Sequence, residues 1–528
     1  MEGGRVSDRD ATTVRAISID LLRRLGMQTI FGNPGSTELP MFRDFPADFR
    51  YVLGLQESVV LAMADGYAQA TRRAAFVNLH SAAGVGHALG NLFTAYKNQT
   101  PLVVTAGQQA RGILPFEPFL FADRATEFPQ PYVKWACEPA RAQDVPLALA
   151  RAYRIAMSPP CGPTFVSIPV DDWDQPCEAI SFPSMTATNP GDPEMLEIIA
   201  GALAAARRPA LVVGAGVARD DGWDEAIALA ERHEAAVWVA PLSARNSFPE
   251  DHRLFAGFLT AGREDIVAAL SPYDVIVAVG GPMCLYHFEG GGPHVPDGAK
   301  VYQLVDNEAI AAWAPAGTSV VANAKHALAT LLHGQEPSRR DPPPRRGPTA
   351  RLDGTSLTDR YLLQQIAKLR PRGAIIVEEA ASSRRPMHDH LPMLDRDCFY
   401  TCASGGLGHG LPAAIGVAMG QPGKRVIAIL GDGSAMYAIQ GLWSAAQLAL
   451  PVSFIIIKNG RYEALLQFGH RFGLQQTVGT NLPNMDFCAL AKGQGMAAMK
   501  VGTAHALDDA LQWSFAASEP TLVEVAVD

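Results

Sequence analysis

Residues 425–434 read Arg425-Val-Ile-Ala-Ile-Leu-Gly-Asp-Gly-Ser434, and residues 452–459 read Val452-Ser-Phe-Ile-Ile-Ile-Lys-Asn459. Both contain a β-branched, uncharged run of the kind buried on both faces of a parallel sheet. Between them, Met436 to about Leu450 is Ala-rich and apolar and reads as one helix. Strand, glycine turn, helix and strand make a βαβ unit, whose right-handed crossover returns the second strand beside the first. Gly431-Asp432-Gly433 and Asn459, with 25 residues between them, then emerge together at the carboxyl edge of the sheet. That edge is where α/β folds bind their ligands.

The same alternation runs through the rest of the chain. Phe76 to Leu79, Leu102 to Thr105, Thr164 to Ile168, Ala210 to Val213 and Val275 to Val279 also read as buried strands set between helical stretches. The fold class is therefore α/β, built from doubly wound parallel sheets. With 528 residues the chain exceeds one hydrophobic core. Two composition breaks divide it: Pro176 to Pro193, and the proline- and arginine-rich tether Gln335 to Pro348. Three domains are expected, at 1–180, 190–335 and 350–528. The first and third are similar in length but share no fixed-period repeat, so any relation between them is structural only.

Composition excludes several functions. The net charge is -9, from 44 Lys and Arg against 53 Asp and Glu, and no basic run is long enough to track a phosphate backbone. Nucleic acid is not an expected partner. Seven scattered cysteines without CxxC spacing read as reduced thiols of a cytoplasmic protein. Met1 to Thr13 lacks the apolar stretch of a signal peptide, and no run reaches membrane-spanning length, so no membrane association is expected.

The turn carries chemistry. A carboxylate and an amide oxygen, from Asp432 and Asn459, suit Mg2+, which takes its other ligands from phosphate oxygens, water and a backbone carbonyl, here that of Arg461. Gly431 and Gly433 let the backbone approach a diphosphate, the following helix N-terminus favours its charge, and Ser434 adds a hydroxyl. Gly-Asp-Gly alone is a common turn. Asn459 on a second strand end is what makes this one specific.

Gly431-Asp-Gly-Ser434 with Asn459 resembles the signature of the thiamine-diphosphate-dependent enzymes. Cys402-Ala-Ser-Gly-Gly-Leu-Gly-His-Gly-Leu-Pro-Ala-Ala-Ile-Gly416 resembles the loop and helix that face the pyrimidine in that fold. Further runs are similar to the benzoylformate decarboxylases: Phe31-Gly-Asn-Pro-Gly-Ser36, Ala64-Asp-Gly-Tyr-Ala-Gln-Ala70, Asn78-Leu-His-Ser-Ala-Ala-Gly84, Thr105-Ala-Gly-Gln-Gln109, Asp171-Asp-Trp173 and Tyr286-His287. Together these runs span nearly the whole chain.

The resemblance implies a pyrimidine-binding first domain, a Rossmann-like central domain and a diphosphate-binding third domain. It also implies thiamine diphosphate with Mg2+, and non-oxidative decarboxylation of an aryl 2-keto acid, benzoylformate to benzaldehyde and CO2. Glu57, where a short strand meets the helix Val59 to Ala70, becomes the acid beside the aminopyrimidine, although a Glu at a helix start is more often a cap. Ser36 takes the substrate carboxylate, His80 protonates the oxygen of the attacked keto group, and His287 assists protonation of the carbon that has lost CO2. A group that gives and takes back a proton near neutral pH suits histidine. Leu407, after Gly405 and Gly406, holds the cofactor's rings folded. Gly405, Tyr462 and Ser382 complete the cofactor contacts, and Phe468 adds an aromatic wall to the substrate site.

The resemblance further implies a homodimer at least, with a homotetramer expected, since the glutamate of one subunit meets the diphosphate cradle of another. Val212-Val-Gly-Ala-Gly-Val-Ala218 suggests a dinucleotide turn but lacks the third glycine, so the central domain is expected to be structural. His87 and His409 carry no assigned chemistry. The alternatives are a carboligase or a decarboxylase of another 2-keto acid, such as an acetolactate synthase-like enzyme, and a catalytically dead paralogue. Three departures from the family pattern stand out: Glu379-Ala-Ala-Ser-Ser383 replaces a hydroxyl-rich stretch and bears on a diphosphate or thiazolium contact, while Arg461 with Glu463 and the Phe-rich loop Ile113 to Phe121 bear on substrate choice.

Overall fold

The computed structural model describes residues 12–527; most of the polar stretch read from Met1 to Thr13 lies outside the described residues. Three six-stranded sheets are present, and every strand pairing within them is parallel. The first contains β1 (Thr29–Gly32), β2 (Arg50–Leu53), β3 (Ala75–Leu79), β4 (Leu102–Gln108), β5 (Ala136–Cys137) and β6 (Thr164–Pro169), in the order β2-β1-β3-β4-β6-β5. The second contains β7 (Pro209–Val213), β8 (Ala236–Val239), β9 (Phe255–Phe258), β10 (Val275–Val279), β11 (Lys300–Val305) and β12 (Thr318–Val321), in the order β12-β11-β10-β7-β8-β9. The third contains β13 (Ile375–Glu379), β14 (Phe399–Thr401), β15 (Val426–Gly431), β16 (Val452–Lys458), β17 (Ala497–Val501) and β18 (Thr521–Ala526), in the order β14-β13-β15-β16-β18-β17.

Every strand read from the sequence is found, and the α/β class with three doubly wound sheets stands. In β10, Val275, Val277 and Val279 pack into one apolar cluster with Leu203 and Leu328, while Ile276 and Ala278 pack into another with Ile266 and Leu270. Neither face meets water, which is why the run Val-Ile-Val-Ala-Val shows no polar alternation. Counted within its own segment, the third sheet repeats the strand order of the first, 2-1-3-4-6-5, without a repeat in sequence. The second runs 3-2-1-4-5-6, the dinucleotide-fold order. Its switch point lies between β7 and β10. There Gly216 N donates to Gly280 O at 2.6 Å, and a Cβ on Gly216 would lie 2.7 Å from Gly280 Cα. The Gly214–Gly216 turn thus aims this amide at a neighbouring turn.

The chain forms two compact units. One runs through Thr186 and takes in Ser404–Pro422 and Tyr437–Leu450; the other holds Ala187–Ala403, Gly423–Met436 and the chain from Pro451. In the first unit the helices Glu57–Thr71 and Gly410–Gly420 meet backbone to backbone. A Cβ on Gly416 would lie 1.9 Å from Met63 O, and one on Gly66 2.2 Å from Ala413 O.

The single helix expected from Met436 to Leu450 is instead two pieces, Asp432–Met436 and Gly441–Leu448, separated by a turn. Gly441 is pressed against Leu411, whose Cδ2 lies 2.7 Å from a would-be Cβ. Tertiary packing here outweighs the helix propensity of the intervening residues. Residues 335–348 carry neither helix nor strand, as their proline content requires.

His233 ends the helix Trp223–His233 and is 2% exposed. Burial, helped by the nearby Arg340 and Arg232 guanidinium groups, pushes its imidazole down to about 4. The folded protein therefore keeps His233 neutral where the unfolded chain would protonate it. The resulting stability is complete above the unfolded value, about 6.5, and drains away as pH falls from there toward 4. After discounting for solvent screening this is worth about 2 kcal/mol. Calorimetric unfolding of wild type and His233→Leu at pH 7.5 and pH 4.5 should show a smaller acid loss in the variant. An equal loss would remove His233 as the cause.

Candidate active site

In the first sheet the switch point lies between β1 and β3, and the loops leaving these strands carry Ser36 and His80. The sequence folds sharply here. His80 leaves β3 in an extended conformation, and Ser81 opens the helix Ser81–Asn98 at a φ of 49°, a left-handed value that costs a non-glycine residue about 1–2 kcal/mol. Ser81 is held in it by its hydroxyl, which donates to Leu120 O at 2.7 Å. The turn presents the His80 ring to the Gly35–Glu38 loop. A Cβ on Gly35 would lie 2.1 Å from His80 Nδ1, so only glycine lets this loop lie on the ring, and Ser36 follows next, exposed. His80 Nδ1 lies 2.8 Å from Glu38 Oε2 and 3.2 Å from Thr37 Oγ1.

Glu57 is the first residue of the helix Glu57–Thr71 and is 8% exposed. It does not cap this helix. Gln56 does, accepting from Ser58 N at 2.7 Å and Val59 N at 3.1 Å. The Glu57 carboxyl is left free for other work and sits against Gly84, with Oε2 3.0 Å from His87 Nδ1. His87 drew no role in the sequence reading because the two residues lie 30 positions apart. His409, also unassigned, is buried and bonded to the buried Asp65. The loop that carries Gly405, Gly406 and Leu407 lies in the same unit. It is tied down by Ser404 Oγ, 2.8 Å from Thr94 Oγ1, and by Asn91, which donates to Gly408 O at 3.2 Å.

In the third sheet the switch point lies between β13 and β15, and Gly431-Asp432-Gly433 occupies the end of β15. Asp432 is 3% exposed. Its carboxylate accepts from Gly433 N and from Gly460 N, each at 2.7 Å, and so ties the turn to the end of β16 beside Asn459. Burial pushes the Asp432 carboxyl up from its ordinary value, and the Gly460 and Gly433 amides pull the other way. Asn459 Oδ1 accepts from Arg461 N at 3.1 Å, and Arg461 O accepts from Glu463 N at 3.1 Å. A Cβ on Gly433 would lie 2.3 Å from Tyr462 Cε1, whereas at Gly431 the nearest atom would be Ser434 Oγ at 3.6 Å. Tyr462 therefore packs on one glycine while the other leaves the backbone open.

Ser382 lies in the turn after β13, half-buried. Where the sequence departs from the family pattern, the structure shows a self-contained cluster. Glu378 accepts from Ala380 N at 2.6 Å, Arg384 Nε at 2.7 Å and Thr401 Oγ1 at 2.8 Å. Within the same unit the His287 and Phe468 rings meet edge to face at 4.8 Å, pairing two residues read separately from the sequence. His287 also lines a cavity of about 490 Å³, whose walls mix Trp238, Phe258 and Phe288 with charged groups such as Arg245, Glu250 and Arg384. That volume falls within the range of small-molecule sites. Among the described residues a second cluster, Asp486, Cys488 and Glu524, could by geometry hold a metal. Its Glu524 is instead met by Lys458 Nζ at 2.8 Å.

Three models of the thiamine pyrophosphate enzymes match this chain: the N-terminal TPP binding domain over residues 12–127, the central domain over 196–331 and the C-terminal TPP binding domain over 380–525. The benzoylformate decarboxylase of Pseudomonas aeruginosa is 42% identical over 519 residues, covering 97% of this chain and 98% of that protein. The chain belongs to the benzoylformate decarboxylase family of thiamine pyrophosphate enzymes. The crystal structure of benzoylformate decarboxylase from Polynucleobacter necessarius matches with a TM-score of 0.96 at 38% identity, covering 98% of both chains. The Rhodococcus jostii thiamine diphosphate-dependent 4-hydroxybenzoylformate decarboxylase matches with a TM-score of 0.95 at 39% identity, covering 98% of this chain and 99% of that one.

The residues present fit this family's cofactor. A buried carboxylate beside an amide oxygen at a strand end, with an open glycine backbone alongside, has the chemistry to take a cation and a diphosphate. A carboxyl group of the first unit, freed from capping, has the chemistry to meet a ring nitrogen.

Proposed function

We propose that the chain decarboxylates an aryl 2-keto acid, benzoylformate before others, to its aldehyde and CO2, using thiamine diphosphate held through Mg2+. The observation that carries this reading is the edge-to-face pairing of Phe468 with His287, which itself lines a cavity, in a chain that also presents His80 at a switch point. Bound thiamine diphosphate supplies the electron sink for the bond broken as CO2 leaves.

The protein's part is orientation and proton traffic. Ser36, exposed next to the His80 ring, offers its hydroxyl to the substrate carboxylate. His80 gives a proton to the keto oxygen and later recovers it. His287 assists delivery of a proton to the carbon that has lost CO2, and its contact with Phe468 keeps the aryl side of the site apolar. Glu57 holds a proton toward the aminopyrimidine, and Leu407 supports the folded cofactor with Gly405 beside it. Asp432, Asn459 and the Arg461 carbonyl hold Mg2+, while Gly431, Gly433, Ser434, Tyr462 and Ser382 line the cofactor. The assembly is a homodimer at least and a homotetramer in full. Phe116 and Phe119 are large apolar side chains exposed on one loop, as a surface covered by a second copy would have them. No helix among the described residues is long and apolar enough to cross a membrane, and all seven cysteines are free, which suits a cytoplasmic location.

CO2 release from benzoylformate, measured beside pyruvate and branched-chain keto acids with both cofactors added, tests the proposal. His80→Ala should lower kcat for benzoylformate by about 10²–10³-fold. Failure to turn over any aryl keto acid would sink the substrate assignment, and an unchanged kcat in the variant would sink the role of His80.

A further inference from the structure

Glu38 carries no assignment from sequence, yet it is the most completely bonded side chain at the first-sheet switch point. It is 1% exposed. Its Oε2 accepts from Gly35 N at 2.8 Å and faces His80 Nδ1 at 2.8 Å. Its Oε1 accepts from Gly107 N at 2.9 Å and from the Thr37 hydroxyl at 2.6 Å. The two backbone amides can only donate, and Thr37 spends its one hydroxyl proton on Oε1. A carboxyl group ringed in this way acts as an acceptor on both oxygens, so it meets the imidazole Nδ1 as an acceptor too. Thr37 Oγ1, at 3.2 Å from Nδ1, has lone pairs to share the same N–H.

In the neutral ring the proton of His80 is thereby placed on Nδ1, and Nε2, directed away from Glu38, is the nitrogen that carries the second proton of the imidazolium and gives it up. The amides come from two different elements, Gly35 in the loop after β1 and Gly107 within β4, so the carboxylate cannot swing without losing one of them. We infer that Glu38 is a positioning residue that fixes the tautomer and orientation of His80, making Nε2 the atom that exchanges protons with the substrate oxygen. This inference rests on the reading of His80 as a proton-transfer group. A buried carboxylate behind a histidine also steadies the imidazolium formed during transfer, and such pairs lose orders of magnitude in rate when the carboxylate becomes an amide.

A double-mutant cycle tests it, with kcat and KM for benzoylformate measured on holoenzyme for wild type, Glu38→Gln, His80→Ala and the double variant. Because Glu38 acts through His80, Glu38→Gln should cost about 10²-fold in kcat with little change in KM in the wild-type background, and under twofold in the His80→Ala background. An equal loss in both backgrounds would make Glu38 a structural residue and overturn the inference. His80→Ala without effect would instead remove the underlying reading of His80. Glu38→Asp, which keeps the charge but withdraws it from Nδ1, should fall between Gln and wild type; ¹⁵N shifts of labelled histidine report the tautomer whatever the activity. Proton placement on Nε2 in wild type would also overturn the inference.

Discussion

Glu57→Gln is expected to reduce kcat by about 10³-fold while leaving the melting temperature within a few degrees of wild type. The rate effect follows from chemistry, since a general acid positioned in the reaction contributes about 10²–10⁴-fold, and an amide cannot take up and return a proton as the proposed role of Glu57 requires. The small stability effect follows from geometry. Gln56 is the residue that caps the helix, with its side-chain oxygen on Ser58 N and Val59 N, so removing the Glu57 charge costs no cap. It costs only part of a helix-dipole interaction, typically 0.3–1 kcal/mol, and the bond to His87 Nδ1. Steady-state decarboxylation at saturating cofactor, paired with thermal unfolding, separates the two. A variant that keeps a tenth of wild-type kcat would show that the acid lies elsewhere.

Asp432→Asn should weaken Mg2+-dependent binding of thiamine diphosphate by at least about 100-fold, since a direct ligand is expected to matter no less than outer partners worth 10–100-fold. The asparagine keeps the shape but replaces one of two acceptor oxygens with a donor. Each oxygen of Asp432 receives a backbone N–H, from Gly433 and Gly460, so the amide loses one of these bonds, at a cost of about 1–3 kcal/mol. The loss of negative charge removes what a cation would neutralise in a buried place. Isothermal titration of thiamine diphosphate at fixed Mg2+, and of Mg2+ at fixed cofactor, would measure it. Unchanged affinity would move the metal site away from the end of β15.

Much of the fold was legible because parallel strands buried on both faces write themselves as uninterrupted apolar runs. Val275 to Val279 could be read to the residue. Strands of four residues such as β2 and β12, with exposed or half-exposed members, carry no such signal. The convergence of Asp432 with the end of β16 beside Asn459 was legible since the two residues flank a single crossover, which fixes where they emerge. Glu38 and His87 were not legible. Each meets its partner across 42 and 30 residues, from an adjoining loop or helix, and nothing local distinguishes a buried acceptor from a surface glutamate. The break between Met436 and Gly441 was missed for a related reason: its cause is the packing of Gly441 on Leu411, not the intervening residues.

The discontinuous make-up of the first unit has a consequence for biosynthesis. Val59, Val60, Leu61, Ala62, Met63 and Ala64 are all fully buried, in a helix whose neighbour, Gly410–Gly420, is translated hundreds of residues later. About 260 residues separate Thr186 from Leu450, which at 5–20 residues per second is roughly 13–50 s on the ribosome. Through that interval the first sheet can form, but one flank of its helical layer stays uncovered. The nascent chain should therefore be a ready client for holding chaperones until residue 450 has left the exit tunnel, and truncations that stop at the second domain should aggregate where the full chain does not.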